Sequence, residues 1–307
     1  MRTLRFVPHN TNIPFIRMRV TTFVVSAALS LLSVVLFFAP GLNYGIDFAG
    51  GVLIEARATQ GDADLGDMRA KLSGLSLGEV ALQDFGSTRD VLIRVQSQGD
   101  EKLDNAAVEM VRKALGAGFE FRRTEVVGPK VGSELIEAGT IASLLAMVGI
   151  AVYVWFRFEW QFAIAALIST VHDVVTTIGL FVLLQLDFNL TSVAAVLTIA
   201  GYSINDTVVV FDRIRETLRK YKTLEFGALI DRAINDTLSR TVMTSTTTLL
   251  AVLSLAIFGG EVIRGFAVAI IWGIAIGTYS SIFLAAPLLL YMRPPRPTES
   301  AAVAATP

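Results

Sequence analysis

The chain has 307 residues, 53% of them hydrophobic and 17% charged, with a net charge of -1. A soluble chain carries closer to about a quarter charged residues, so the apolar excess calls for lipid as a solvent. The near-zero charge excludes the basic footprint of a nucleic-acid partner. With no cysteine, disulfide frameworks, cysteine-ligated zinc and thiol nucleophiles are excluded too.

In chain order, Arg2, Arg5, Arg17 and Arg19 precede the first long apolar run, 20–39. That run exceeds the roughly 7–15 residues of a signal-peptide core and reads as an uncleaved membrane anchor. Residues 45–51, GIDFAGG, join the first run to the domain within the segment 40–135. Gly45, Asp47, Gly50 and Gly51 suit a tight backbone connection, and the motif lacks the Lys-Ser/Thr of a phosphate loop.

The segment 40–135 reads as a small α/β domain. A strand is expected at 48–58 and a helix at 64–75, with Leu65, Met68 and Leu72 at helical spacing. A hairpin joins 80–85 to 91–96 across the turn-rich GSTRD. A second helix, 100–115, places Leu103, Ala107, Met110, Val111 and Ala114 on one face, and a strand follows at 119–127. The order β-α-β-β-α-β is the ferredoxin-like arrangement. Gly128, Pro129 and Gly132 in VGPKVG form the exit joint, and two such joints would let the domain swing as a body.

Five further apolar runs follow, at 136–156, 162–184, 190–211, 241–258 and 266–292, each close to the about 20 residues a bilayer requires. Pro287 predicts a kink in the last. Between the fourth and fifth runs lie Arg213, Arg215, Arg219, Lys220, Lys222 and Arg232, and Arg293 and Arg296 follow the sixth. Six crossings put every basic flank on one side, so the positive-inside rule predicts cytoplasmic termini and an extracytoplasmic (periplasmic) domain. Within a cytoplasmic segment near 212–240, residues 220–235 read as an amphipathic helix in the membrane interface, with Leu224, Phe226, Leu229, Ile230 and Ala233 among charges. The Pro/Ala-rich tail, 293–307, reads as disordered.

Polar groups inside the runs carry the functional signal. The third has His172 and Asp173, followed by Thr176 and Thr177; such residues face other helices, either as structural glue or in function. In the fourth, Asn205 and Asp206 sit inside the apolar stretch, where an aspartate costs about 2.5–3.5 kcal/mol on insertion scales, and Tyr202 precedes Asp206 by four residues. The fifth opens with Arg240, Thr244, Thr247 and Thr248 on one stripe. Arg240 either snorkels to the headgroups or meets Asp206 across an antiparallel helix pair, and in the latter case helix movement would load and unload a proton. No nucleophile set, metal set or phosphate loop is present, so the reading is a non-enzyme without cofactor or metal, its coupling ion H+.

The motifs GIDFAGG, VGPKVG, HDVV, GYSINDTVVVFDRIRE and LSRTVMTSTTTL together resemble the SecF family of the bacterial Sec protein-export machinery, which is related to the resistance-nodulation-division exporters. The resemblance spans about residues 15–290. It implies half of a twelve-helix bundle plus a ferredoxin-like domain, in the bacterial inner membrane. Implied partners are SecD, the SecYEG translocon, YajC/YidC-type components, unfolded preprotein and membrane lipids. The implied role is proton-driven help in completing preprotein translocation, with the family's membrane acid and base matched by Asp206 and Arg240. The alternative is half of a proton-driven small-molecule or lipid exporter; a purely structural scaffold is a further one.

Overall fold

The computed structural model describes Pro8 and residues 11–292. Arg2, Arg5, Arg293, Arg296 and the tail lie outside them. A 3-10 turn (Phe15–Met18) runs into α1 (Arg19–Phe38). Then come β1 (Asn43–Tyr44) and the single-turn α2 (Ile46–Ala49). The elements β2 (Gly51–Ala58), α3 (Leu65–Ser73), β3 (Val80–Phe85), β4 (Ser87–Val95), α4 (Glu101–Leu115) and β5 (Phe119–Val127) build the α/β domain. Its antiparallel sheet has the spatial order β3-β4-β2-β5, so the β-α-β-β-α-β chain order closes into a ferredoxin-like sheet with both helices as crossovers.

Alternation decides which sheet face is covered. Val52, Ile54 and Ala56 of β2 and Val91, Ile93 and Val95 of β4 are buried, packed with Met68 and Leu72 of α3 and Ala107, Val111 and Leu115 of α4. Asp64 and Asp100 cap the two helices by accepting backbone N–H groups of the first turn. The buried face of α4 differs from the expected one. Leu103 and Met110 are 52% and 38% exposed, and Val108 and Leu115 are buried instead. The buried Asp104 carboxylate fixes that rotation by accepting Gln98 N–H at 2.6 Å and Ser97 Oγ–H at 3.0 Å. The hairpin is also tighter than GSTRD suggested. Gly86, at φ +78°, makes the turn beside a register shift, and β4 already begins at Ser87.

The rest of the chain is helical: α5 (Pro129–Arg157), α6 (Trp160–Leu183), a two-residue β6 (Asp187–Phe188), α7 (Leu190–Lys220), α8 (Phe226–Phe258), α9 (Glu261–Ser280), a π turn (Ser281–Ala285) and α10 (Ala286–Met292). Among the described residues six helical spans are long and apolar enough to cross a membrane, the sixth made of α9, the π turn and α10. The centre of the bundle is α6, α7 and the sixth span, while α5 and the later turns of α8 present exposed apolar side chains such as Leu144, Leu145, Leu250 and Ile257. Small residues let backbones approach. A Cβ on Gly179 of α6 would collide with Ser33 of α1, and one on Gly273 of α9 with Ile199 of α7.

One expectation about the spans is corrected. Residues 226–235 form no separate interfacial helix. They are the first turns of α8, which runs unbroken to Phe258, with Leu229, Ile230, Ala233 and Ile234 fully buried in a cluster that includes Phe15, Ile16, Phe211 and Ile214. The apolar stripe read as lipid-facing is satisfied by protein. At the kink expected from Pro287, the helix forms a π turn just before the proline. Proline cannot donate to the carbonyl of Phe283, and that carbonyl accepts the Thr22 hydroxyl of α1 at 3.1 Å instead.

Candidate functional site in the helix bundle

Asp206 lies on the buried side of α7, 3% exposed, and its Oδ2 has no hydrogen-bond partner. Arg240, on the neighbouring α8, is exposed; it makes no ion pair with Asp206, yet its charge acts on that carboxyl. The remaining expected companions of this pair point elsewhere. Asn205 is exposed. The Tyr202 hydroxyl donates to Ser245 Oγ at 3.1 Å, and Ser245 is bonded to Thr278 at 2.7 Å, a polar link from α7 through α8 to α9. Thr244 and Thr247 spend their hydroxyls on the carbonyls of Arg240 and Met243, 2.8 and 3.0 Å away on their own helix.

One turn before Asp206, Ser203 belongs to a second polar cluster. The Asp173 carboxylate of α6 is fully buried and meets three groups: His172 Nδ1 at 2.9 Å, Ser203 Oγ at 2.5 Å and Ser280 Oγ at 2.6 Å. Thr176 and Thr177 donate to the Asp173 backbone carbonyl, at 3.1 and 2.7 Å, and leave its carboxylate to the other helices. Next to it, Thr207 and Ser281 share a hydroxyl hydrogen bond of 2.9 Å, and the unpartnered Thr241 hydroxyl is buried on α8. Ser203, Ser280, Ser281, Thr207 and Thr241 escape sequence reading, because single hydroxyls are ordinary in membrane helices. The one available cue is their helical spacing: Ser203 and Thr207 share a face with Asp206.

The glycine-rich joints form a seam between the domain and the bundle. Two-residue β1 pairs in parallel with β6, between α6 and α7. Gly45 N–H donates to the Phe188 carbonyl at 2.8 Å, and Asn43 donates to Asp187 Oδ1 at 2.9 Å. Arg94 of β4 also forms an ion pair with Asp187. Asp47 accepts the N–H of Leu190, the first residue of α7. Gly50 and Gly51 take positive φ, and a Cβ on Gly51 would collide with the Val95 carbonyl. A Cβ on Gly132 would approach Phe48 O to 2.9 Å, so α5 crosses α2 at backbone distance. Gly128 precedes Pro129, which opens α5 at a position where its missing N–H costs no helical bond.

The fold and its buried polar sites define a multi-pass membrane protein: a six-span bundle with one α/β domain inserted after the first span. Two family models match, that of the protein export membrane protein SecD/SecF, C-terminal, over residues 107–294, and that of the SecD/SecF GG motif over residues 35–62. Protein translocase subunit SecF of Rickettsia rickettsii is 47% identical over 290 residues, covering 93% of this chain and 94% of that protein. Protein translocase subunit SecDF of Brucella abortus is 46% identical over 97% of this chain and 40% of its own length. The crystal structure of SecDF, a translocon-associated membrane protein of Thermus thermophilus, superposes with a TM-score of 0.83 at 36% identity, covering 92% of this chain and 39% of that one. This chain belongs to the SecD/SecF family of protein export membrane proteins.

Proposed function

We propose that the chain is the SecF-type subunit of a Sec protein translocase, and that with a SecD-type partner it uses the proton gradient to promote translocation of unfolded preproteins. The names of its relatives support the transport role, and relatives that carry SecD and SecF in one chain support the SecD partner. In this reading the chain lies in the bacterial inner membrane, both termini are cytoplasmic, and the α/β domain faces the other side. The SecYEG translocon and YajC/YidC-type components are its further partners. It works as a transport subunit and catalyses no reaction, with H+ as its coupling ion.

The observation that carries proton coupling is the Asp206 carboxyl. It is buried in a membrane helix with one oxygen unpartnered, and among the described residues Arg240 is the basic residue that acts on it, from α8 and without closing an ion pair. An ionised carboxylate without a partner is costly in a low-dielectric bundle. The pair is therefore suited to alternate between two arrangements, one with a proton on Asp206 and one with Arg240 drawn close. Each proton that crosses yields about 2.3 kcal/mol per 100 mV of potential. The test is gradient-dependent export into inner-membrane vesicles holding the complex. Asp206→Asn, nearly isosteric, is expected to assemble and to lose the gradient-driven part of export. Undiminished gradient-driven export would refute the reading.

A further inference from the structure

The Asp173 cluster does work that the Asp206–Arg240 reading leaves unassigned. Asp173 Oδ1 faces His172 Nδ1 at 2.9 Å, and its Oδ2 accepts hydroxyls from Ser203 of α7 and Ser280 of α9. His172 is 6% exposed, and its other ring nitrogen, Nε2, is buried without a partner. His172 also lines a groove of about 470 Å³ between α1 and α6, together with Ser26, Ser30 and mainly apolar side chains such as Leu31, Ile168 and Val171. Other polar groups around the pair and its partners come from α1, α7 and the sixth span. They are Ser26 of α1, Ser203 of α7 with Asp206 one turn beyond, Tyr279 and Ser280 of α9, and Ser281 of the π turn. Among the described residues no lysine or arginine forms an ion pair with Asp173, and no charged side chain of α5, α8 or α10 bonds to the pair.

A buried carboxylate with no cation but an adjacent imidazole is balanced only when the two together hold one extra proton. We propose that His172 and Asp173 form a second proton-holding station, reached at His172 Nε2 from the groove between α1 and α6. A proton arriving at Nε2 makes the N–H bond there. The Nδ1–H bond then breaks and its proton goes to Asp173 Oδ1, so the pair gains one proton without moving an atom between helices. Ser203 ties this station to α7 three residues before Asp206, so the charge on α6 and the rotation of α7 are linked. The proposal rests on the reading that the proton gradient drives transport, whether or not Asp206 carries the proton.

The chain has two histidines, His9 and His172. In a His9→Gln background, isotope-labelled histidine in the full-length chain in lipid bilayers therefore reports His172 alone by NMR. The ring is expected to change its protonation as pH is varied, with a midpoint that moves in Asp173→Asn, where the imidazole loses its carboxylate partner. Ser280→Ala, which removes one donor and leaves the carboxylate, is expected to move it less. His172→Gln is expected to lower gradient-driven export by about a hundredfold, the lower end of what a positioned proton-transfer group supplies. A His172 ring that keeps one tautomer and one charge throughout, or a midpoint indifferent to both Asp173→Asn and Ser280→Ala, overturns the proposal. The two readings separate on Asp206→Asn. If that variant loses export while His172 still titrates, both stand. If export survives it while His172 titrates and His172→Gln abolishes export, the second station stands and the Asp206 reading falls.

Discussion

Asp47, in the joint that leads out of α1, accepts the backbone N–H of Leu190 at 2.9 Å and so caps α7 from a distant part of the chain. Asn189 caps the same helix locally, in a box with Ser192. The carboxylate thus sits at the positive end of the dipole of the helix that carries Asp206. The domain and the buried acid are joined through one helix start.

From that contact, Asp47→Ala is expected to weaken the seam by about 1 kcal/mol, the usual worth of a helix-capping side chain. Hydrogen exchange at Leu190 should quicken, and Asp47→Asn, which keeps an acceptor, should quicken it less. Equal exchange in all three proteins would show that the local Asn189 cap suffices.

Within the domain, Asp90 is gripped by Arg57, whose Nε and Nη2 lie 2.6 and 2.5 Å from its two oxygens. The Arg57 guanidinium, helped by the Ser87 hydroxyl and the charge of Arg122, holds the Asp90 carboxyl down at about 2, against the pull of burial. An unfolded aspartate titrates near 3.9, so the folded group is the stronger acid. Its stabilisation is complete above about pH 4 and lost as pH falls through about 2. Arg57→Ala should lower domain stability at neutral pH and flatten that acid limb in a denaturation series. An unchanged limb would mean that another carboxylate governs it.

Much of this architecture is legible in sequence because lipid and sheet impose simple periods. The six spans follow from apolar length, and the α/β domain follows from alternation and capping residues. Helix ends are less legible. Hydropathy marks only the part of a helix that fits hydrocarbon, whereas α5 begins at Pro129, α7 runs to Lys220 and α8 begins at Phe226. In those overhangs Lys130, Glu134 and Glu137, or Arg213 paired with Asp236, continue the helix in polar surroundings. β1 and β6 are invisible because two-residue strands exist only through each other. At the site, Asp173 and Asp206 stand out as lone acids. Their different surroundings do not, because they depend on which serine of α7 or α9 faces α6.

Close packing of α1 on α6 provides a third test. Gly179 and Ser33 meet where no side chain fits. Gly179→Val should destabilise the bundle by about 1–3 kcal/mol through overpacking, measured as a lower melting temperature in detergent. Gly149→Val, where a Cβ meets open space, should have little effect. Equal losses in both would point to helix propensity as the cause, with packing irrelevant.

The last prediction concerns how Asp206 and Arg240 depend on each other. They do not touch in this arrangement, with Arg240 exposed and Asp206 buried. If each matters only through the other, Asp206→Asn and Arg240→Ala should each remove the gradient-driven part of export, and the double variant should be no worse than either. Groups that act as one unit behave in this non-additive way. Arg240→Lys keeps the charge but loses the planar fork, so it should retain part of the activity if charge alone draws the acid. A double variant whose loss equals the product of the two single losses would instead mean independent roles. Arg240 would then serve as an anchor at the headgroups, and Asp206 would need another partner to release its proton.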